Sequence, residues 1–400
     1  MTRIGFAYNQ KPETTAAPVA LVSAPSAESH GDEEPPSSAA DIASDIYAEW
    51  DSAETIDAVA AALAPLGDVI RLEADESFPE RLRAERPDIV FNIAEGLYGA
   101  NREAHVPAIC EFFDVPYSGS DPFTLSLCLH KGRTKDVLRA HDVPTAPFCV
   151  VESLSDLESQ LSQLGSSSPL SSLLSPLSSS SSPLSSLPSP LFIKPVQEGS
   201  SKGITEKNFV RTRDELVSQT RFLLETYAQP VIVETFLPGV EFTCGVLGNG
   251  ATARVLPLVG MNFGALPSGA LPIYGFEAKW VWDTKRDPLE IFECPARVDA
   301  DLQRAVEDVV LRAYRVLGCR DWARVDVRLD AAGVPNIVEV NPLPGILPDP
   351  RDNSCLPKAA RAAGLGYDKL IQTCLTHAAE RQGVSLRRRT QIPTRWAAIA

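Results

Sequence analysis

"ARVDVRLDAAGVPNIVEVNP", residues 323–342, reads as two short strands around a turn, and its pattern decides the fold. Alternation places Val325, Val327 and Leu329 on one face of the first strand, and Val338 and Val340 on one face of the second. Pairing Asp330 with Pro335 across the Ala331–Val334 turn sets Asp326 opposite Glu339 and Arg324 opposite Asn341. Directly opposed residues share a sheet face, so two carboxylates, one amide and one guanidinium converge there. Opposed like charges destabilise an ordinary hairpin. The pattern therefore points to a positive charge from outside the sequence.

The bulk composition narrows the classes of protein that could carry such a hairpin. Four hundred residues suffice for two or three domains with large cores, and 44 % of them are hydrophobic. The mean hydropathy of -0.05 fits a soluble globular chain. A formal charge of -15 argues against nucleic acid or an anionic membrane as the main partner. The basic run "LRRRT" (386–390) reads as a solvated tail. No apolar run reaches about 18 residues, so no membrane span is expected. "MTRIGFAYNQ" looks like a first strand, not a signal peptide, and the cysteine usage leads us to expect a cytoplasmic location. The eight cysteines include no C-x-x-C pair, which predicts mostly buried, reduced thiols and no zinc site. Five dispersed histidines offer no metal centre.

Along the chain, strand 3–8, helix 53–65, strand "DVIRLEA", a charged helix and strand 88–93 imply a doubly wound parallel sheet with crossover helices, covering 1–120. Residues 11–45 read as a flexible loop within it. A central unit, 121–240, begins with one helical segment and the strand "APFCVVES", and holds a Ser/Pro-rich insertion at 165–190 whose composition predicts disorder. A third unit, 241–380, precedes a tail, 381–400. From 191 onward, strands at 191–194, 231–234, 241–247 and 253–259 interleave with helices at 213–226, 299–317 and 367–380, an α+β pattern.

Three further stretches bear on chemistry. In "FIKPVQEGSSKGI" (192–204) an apolar strand delivers Lys194 to a loop of Gly199, Ser200, Ser201 and Gly203. Glycines admit close approach of backbone N–H groups to phosphate oxygens, although such a loop is more often a plain turn. "VIVETFLPGVEFT" (231–243) runs from Glu234 through Thr235, Phe236 and Leu237 to Glu241. A hinge of this kind can offer main-chain groups to a purine edge and a carboxylate to ribose; alternatively it is a strand–turn–strand with exposed glutamates. In "GFEAKWVWD" (275–283) Lys279 sits among aromatics, where a snorkelling surface lysine is the ordinary reading. Asp326, Glu339 and Asn341 are hard oxygen donors. They suit Mg²⁺, which is typically held by one or two carboxylates plus nucleotide phosphates. A salt bridge from Arg324 alone is the alternative.

Together and in this order, these elements resemble the ATP-grasp superfamily and, within it, the D-alanine–D-alanine ligase family. The resemblance runs through "PYSGSDPFTLSLCLHKGRTK", "FIKPVQEGSSKGI", "VIVETFLPGVEFT", "YGFEAKW", "GCRDWARVDVRLD" and "IVEVNPLPG". It implies an N-terminal α/β domain followed by central and C-terminal α+β domains that sandwich ATP. It further implies that Lys131, Lys194 and the Gly199–Ser201 loop meet phosphates. By the same resemblance, Glu234, Thr235, Phe236 and Leu237 meet adenine, Glu241 the ribose, and Lys279 the γ-phosphate. Asp326, Glu339 and Asn341 would hold two Mg²⁺ or Mn²⁺ ions, while Arg324, Ser200 and Lys279 act in catalysis. The implied partners are small carboxylate and amine substrates, amino acids among them, and the family often forms homodimers. The implied reaction makes an acyl phosphate from ATP and a carboxylate, which an amine converts to an amide.

Departures fall on the substrate side. "YNQKPE", with only Glu13, replaces a glycine-rich turn; Glu95 stands where a histidine is expected; Trp280 replaces a tyrosine; and "ILPDPRDNSCLP" replaces a Ser/Thr-rich loop. Glu95 and Gly345 remain as substrate-side candidates. The expectation is an ATP-dependent carboxylate–amine ligase whose substrate need not be D-alanine. The competing reading is a non-catalytic ATP-binding regulator, which has no use for Arg324.

Overall fold

The computed structural model describes residues 1–12, 47–166, 190–275, 278–279 and 289–386. Glu13, Trp280, most of the 11–45 loop and of the 165–190 insertion, and residues 387–400 lie outside these. Strands β1 (Arg3–Tyr8), β2 (Asp68–Glu73) and β3 (Ile89–Asn92) form a parallel sheet in the order β2-β1-β3, which Tyr117 extends by a bridge to Val90. A strand buried on both faces needs helices on both sides. Ile4 and Phe6 pack with Ile56 and Val59 of α1 (Ala53–Leu63), whose first turn is capped by Ser52. Ala7 packs on the other face with Phe78 and Leu82 of α2 (Phe78–Glu85) and Cys110 of α3 (His105–Phe112). The unit is doubly wound, as expected.

The expected single helical segment is two helices, α4 (Pro122–Leu129) and α5 (Lys131–Ala140). His130 leaves helical geometry (φ -92°, ψ 90°), and its Nδ1 accepts the Arg133 N–H at 3.2 Å, capping the second helix. Lys131 thus opens a helix.

β4 (Phe148–Val151), β5 (Leu191–Pro195), β6 (Phe209–Val210) and β7 (Val231–Thr235) form an antiparallel sheet, β4-β7-β5-β6. It is backed by α6 (Leu157–Ser166) and by α7 (Arg213–Tyr227), which begins in a Thr212/Glu215 capping box. A second antiparallel sheet has the order β11-β10-β8-β12-β13, with β9 beside β8. Its strands are β8 (Glu241–Leu247), β9 (Arg254–Val255), β10 (Val259–Met261), β11 (Phe292–Glu293), β12 (Trp322–Leu329) and β13 (Pro335–Asn341). The expected strand 253–259 is split into β9 and β10, with Pro257, which has no N–H to donate, between them.

Helix α8 (Ala300–Val316) covers one face of this sheet, packing Val306, Val310 and Tyr314 on Val325, Val327 and Val340. The polar face of β12–β13 is thereby turned to the other side. α9 (Cys355–Ala362) and α10 (Tyr367–Gln382) follow, and α10 joins α1 in a core shared with the parallel sheet. No helix among the described residues is long and apolar enough to cross a membrane. Six of the eight cysteines are buried and all are free thiols.

The β12–β13 register agrees with the sequence reading at one end only. Arg324 pairs with Asn341 and Asp326 with Glu339, but Leu329, not Asp330, pairs with Pro335. A bulge between Asp326 and Val327 absorbs the one-residue difference, so Ile337 takes the core position expected of Val338. Val338 instead lines the cavity described next.

Candidate active site

Between the two antiparallel sheets lies a cavity of about 390 Å³. Every sequence-derived candidate among Lys131, Lys194, Gly199, Ser200, Ser201, Glu234, Thr235, Phe236, Leu237, Glu241 and Lys279 lines it. So do Arg324, Asp326, Glu339, Asn341, Glu95 and Gly345.

One wall is an ion-pair relay built on α5. Lys131 and Lys135, four residues apart, share one helix face. Lys131 reaches across to Glu339 of β13 (3.0 Å), while Lys135 reaches Glu234 of β7 (3.0 Å) and donates to Thr145 Oγ1 (2.6 Å). Lys194 lies two residues beyond Phe192, the register partner of Glu234, and so on the same face; its Nζ stands 2.8 Å from Glu234. Burial pushes the Glu234 carboxyl up, but Lys135 and Lys194 overcome it and hold the group at about 2. The side chain of Glu234 is thus occupied by lysines, and its main chain is paired on both edges, opposite Phe148 of β4 and Phe192 of β5.

The polar hairpin face is less fully neutralised. Burial raises Asp326, Arg324 opposes that rise from 3.1 Å, and Glu339 adds to it. Glu339 is lowered, because Lys131, Lys194 and Arg324 together outweigh its burial. The sequence thus already holds a cation for each carboxylate, contrary to the expectation that the positive charge comes wholly from outside. Even so, Asp326 Oδ1 is buried with no hydrogen-bond partner among the described residues. Among the described residues no group of three or more His, Cys, Asp or Glu could hold a metal ion. Two carboxylates and the Asn341 amide are a set that phosphate oxygens must complete, which is how Mg²⁺ is usually held at nucleotides. The donors therefore fit that ion.

Arg328, which the sequence reading passed over, pairs with Glu241 at 2.8 Å and lies 4.6 Å from the Phe236 ring centroid. Burial raises Glu241 and Arg328 opposes that shift. The signal was present, since 324, 326 and 328 alternate onto one face. Lys135 was signalled likewise by its spacing from Lys131. Lys279 is pushed down to about 8, first by burial and then by the Arg324 charge.

In the loop, Ser200 (φ 51°) and Ser201 (φ 61°) adopt left-handed geometry, and Ser201 Oγ donates to the Tyr274 carbonyl at 3.1 Å. Glu49 crowds Gly199 so closely that a Cβ there would overlap its carboxylate. Glu49 is itself held by Arg102 (3.1 Å) and Lys202 (3.1 Å). Beyond it, Asp51, Glu95 and Glu103 line the same end of the cavity. Glu95 is raised by burial and then by Glu103 and Glu49. On the C-terminal side, Ser354 Oγ donates to the Gly345 carbonyl at 3.0 Å and accepts the Leu347 N–H at 3.2 Å.

Two antiparallel sheets closing on a lysine-rich cavity are the ATP-grasp fold. The structure of D-alanine–D-alanine ligase from Bacillus anthracis complexed with ATP matches it with a TM-score of 0.62 at 21 % identity, covering 96 % of this chain and 99 % of that one. The VanG D-Ala:D-Ser ligase of Enterococcus faecalis matches with a TM-score of 0.60 at 19 % identity, covering 94 % and 99 %. Residues 177–376 match the family model described as the D-ala D-ala ligase C-terminus. The D-alanine–D-alanine ligase of Cupriavidus pinatubonensis is 32 % identical over 287 residues, 71 % of this chain and 73 % of its own. The uncharacterized protein y4sG of Sinorhizobium fredii is 30 % identical over 339 residues, 82 % and 88 % of the two chains. The chain belongs to the D-alanine–D-alanine ligase family and is an ATP-dependent ligase of carbon–nitrogen bonds.

Proposed function

We propose that the protein joins a carboxylate to an amine through an acyl phosphate. The supporting observation is the gathering of Lys131, Lys194, Lys279 and Arg324 with Asp326 and Glu339 around one cavity, with Asp326 Oδ1 unpartnered. The substrate carboxylate attacks the γ-phosphorus of ATP; a new O–P bond forms, the bond from phosphorus to the bridging oxygen breaks, and ADP leaves. The amine nitrogen then attacks the acyl carbon, the C–O bond to phosphate breaks, and nitrogen gives up a proton as amide and phosphate separate.

Charge develops on phosphoryl oxygens first and on a tetrahedral oxygen second. Lys131, Lys194 and Lys279 are the donors for the first. Arg324, raised by Asp326 and Glu339 against the pull of burial, stays charged for the second. Ser200 and Ser201 present the loop over the phosphates, Thr235–Leu237 frame the base, and Glu241, steadied by Arg328, faces the ribose. Asp326, Glu339 and Asn341 would hold one or two Mg²⁺ ions, which supply charge neutralisation at the phosphates. D-Alanine specificity does not carry over with the rest, because Glu95 replaces a histidine on the substrate side.

Incubation of the purified protein with ATP, Mg²⁺ and a panel of paired amino acids and amines tests this. Phosphate release that depends on both substrates is expected; ATP binding with no release from any pair would overturn it.

A further inference from the structure

The N-terminal end of the cavity gathers more carboxyl groups than cations. Glu49 is held by Arg102 and Lys202, and Glu198 by Lys202 at 2.8 Å, with a further hydrogen bond from Gln229. Asp51 has Lys11 as its neighbouring charge. Glu95 and Glu103 remain. Among the described residues neither side chain makes a hydrogen bond or an ion pair, yet both line the cavity and Glu103 is only 8 % exposed. The cation between them, Arg102, spends its donors on Glu49 and on the Gln197 carbonyl (2.9 Å). Buried carboxylates are ordinarily paired. Two unpaired ones facing a cavity mark a place where a ligand supplies the missing charge.

The chemistry of that ligand follows. A divalent ion is disfavoured: Asp51, Glu95 and Glu103 line this end, yet among the described residues no three His, Cys, Asp or Glu side chains are arranged so that they could hold a metal ion. An organic ammonium offers three N–H donors on one positive charge, which suits two carboxylates. The α-ammonium of a simple amino acid brings its own carboxylate and leaves the balance unchanged. An ammonium remote from any carboxylate corrects it. The indole of Trp50, tied through its N–H to the Gly96 carbonyl (3.0 Å), lines the same end and adds an aromatic wall suited to a cation.

We infer that Glu95 and Glu103 form an ammonium subsite, and that the amine joined by this ligase is a diamine or diamino acid, one nitrogen held at the carboxylate pair while the other is acylated. The inference rests on the ligase reading, and its test separates the two.

Calorimetric titrations of the full-length protein, with Mg²⁺ and a non-hydrolysable ATP analogue present, compare 1,4-diaminobutane with 1-aminobutane and lysine with norleucine. Charge-assisted hydrogen bonds of this kind imply that the dicationic or second-ammonium member of each pair binds about tenfold tighter or more. In Glu95→Gln/Glu103→Gln the ratio should fall to about one, with a cooperative melt showing that the variant folds. Equal binding of both members to the unaltered protein overturns the inference without any variant, and so does a preference that survives the double substitution. Phosphate release with monoamines but no second-ammonium preference defeats the subsite alone. The preference without phosphate release from any pair upholds the subsite and defeats the ligase reading.

Discussion

The two ends of the cavity manage buried charge in opposite ways. Toward the antiparallel sheets, Glu234 lies between two lysines, Glu339 meets Lys131 and Glu241 meets Arg328. Toward the parallel sheet, Glu95 and Glu103 line the cavity without an ion-pair partner among the described residues. The first arrangement is pre-organised: its lysines are already fixed, and on the proposed mechanism they need no reorganisation as phosphoryl charge develops. The second is a recognition surface, stable only to the extent that protons or a ligand offset its repulsion.

Breaking the ordered end should have the largest effects. Asp326→Asn removes the carboxylate whose Oδ1 is unpartnered; turnover should fall by about 10³ or more, because metal-held charge stabilisation is worth several kcal/mol. A magnesium titration of turnover in both proteins checks this, and an unchanged rate and magnesium dependence would refute it. Glu234→Gln leaves Lys135 and Lys194 buried without their counter-ion, which costs about 3–5 kcal/mol in urea unfolding at neutral pH.

The sign of the pH effect at Glu234 follows from its depressed folded value. Its stabilisation is complete above the ordinary 4.5 and is lost as pH falls toward about 2. The gap between wild type and Glu234→Gln should therefore narrow across that window, as acid titrations of stability would record.

A smaller effect of opposite sign is expected at the other end. Burial, reinforced by Glu49 and opposed by Arg102, raises Glu103 to about 8, so its carboxylate destabilises the fold increasingly from 4.5 up to that pH. Glu103→Gln should melt a few degrees higher than wild type at pH 8.5 and no differently near pH 4.5. A lower melting temperature at pH 8.5 would mean that Glu103 has a partner after all.

How much of this was legible in the sequence depends on whether the signal is local. The alternation in β12 and β13 placed Arg324 opposite Asn341 and Asp326 opposite Glu339 correctly. The turn was misplaced by one residue because the bulge is set from outside the hairpin. Ile337 donates its N–H to the Pro144 carbonyl (2.8 Å) and accepts from Thr145 Oγ1 (2.8 Å), contacts almost 200 residues away in sequence. Lys135 and Arg328 were within reach of helix and strand periodicity. The unpaired state of Glu103 was not, because it depends on Arg102, its chain neighbour, turning to Glu49 across the fold. Periodicity shows which face a residue occupies and says nothing of who else arrives there.

Arg324 separates a ligase from a nucleotide binder most directly. Turnover and nucleotide affinity should be measured side by side in wild type and Arg324→Ala, with the best substrate pair from the panel. The expected result is a loss in turnover on the order of 10²–10³ with nucleotide affinity retained. Turnover that survives the substitution, or that falls only in proportion to nucleotide binding, would contradict a tetrahedral oxyanion stabilised at this arginine.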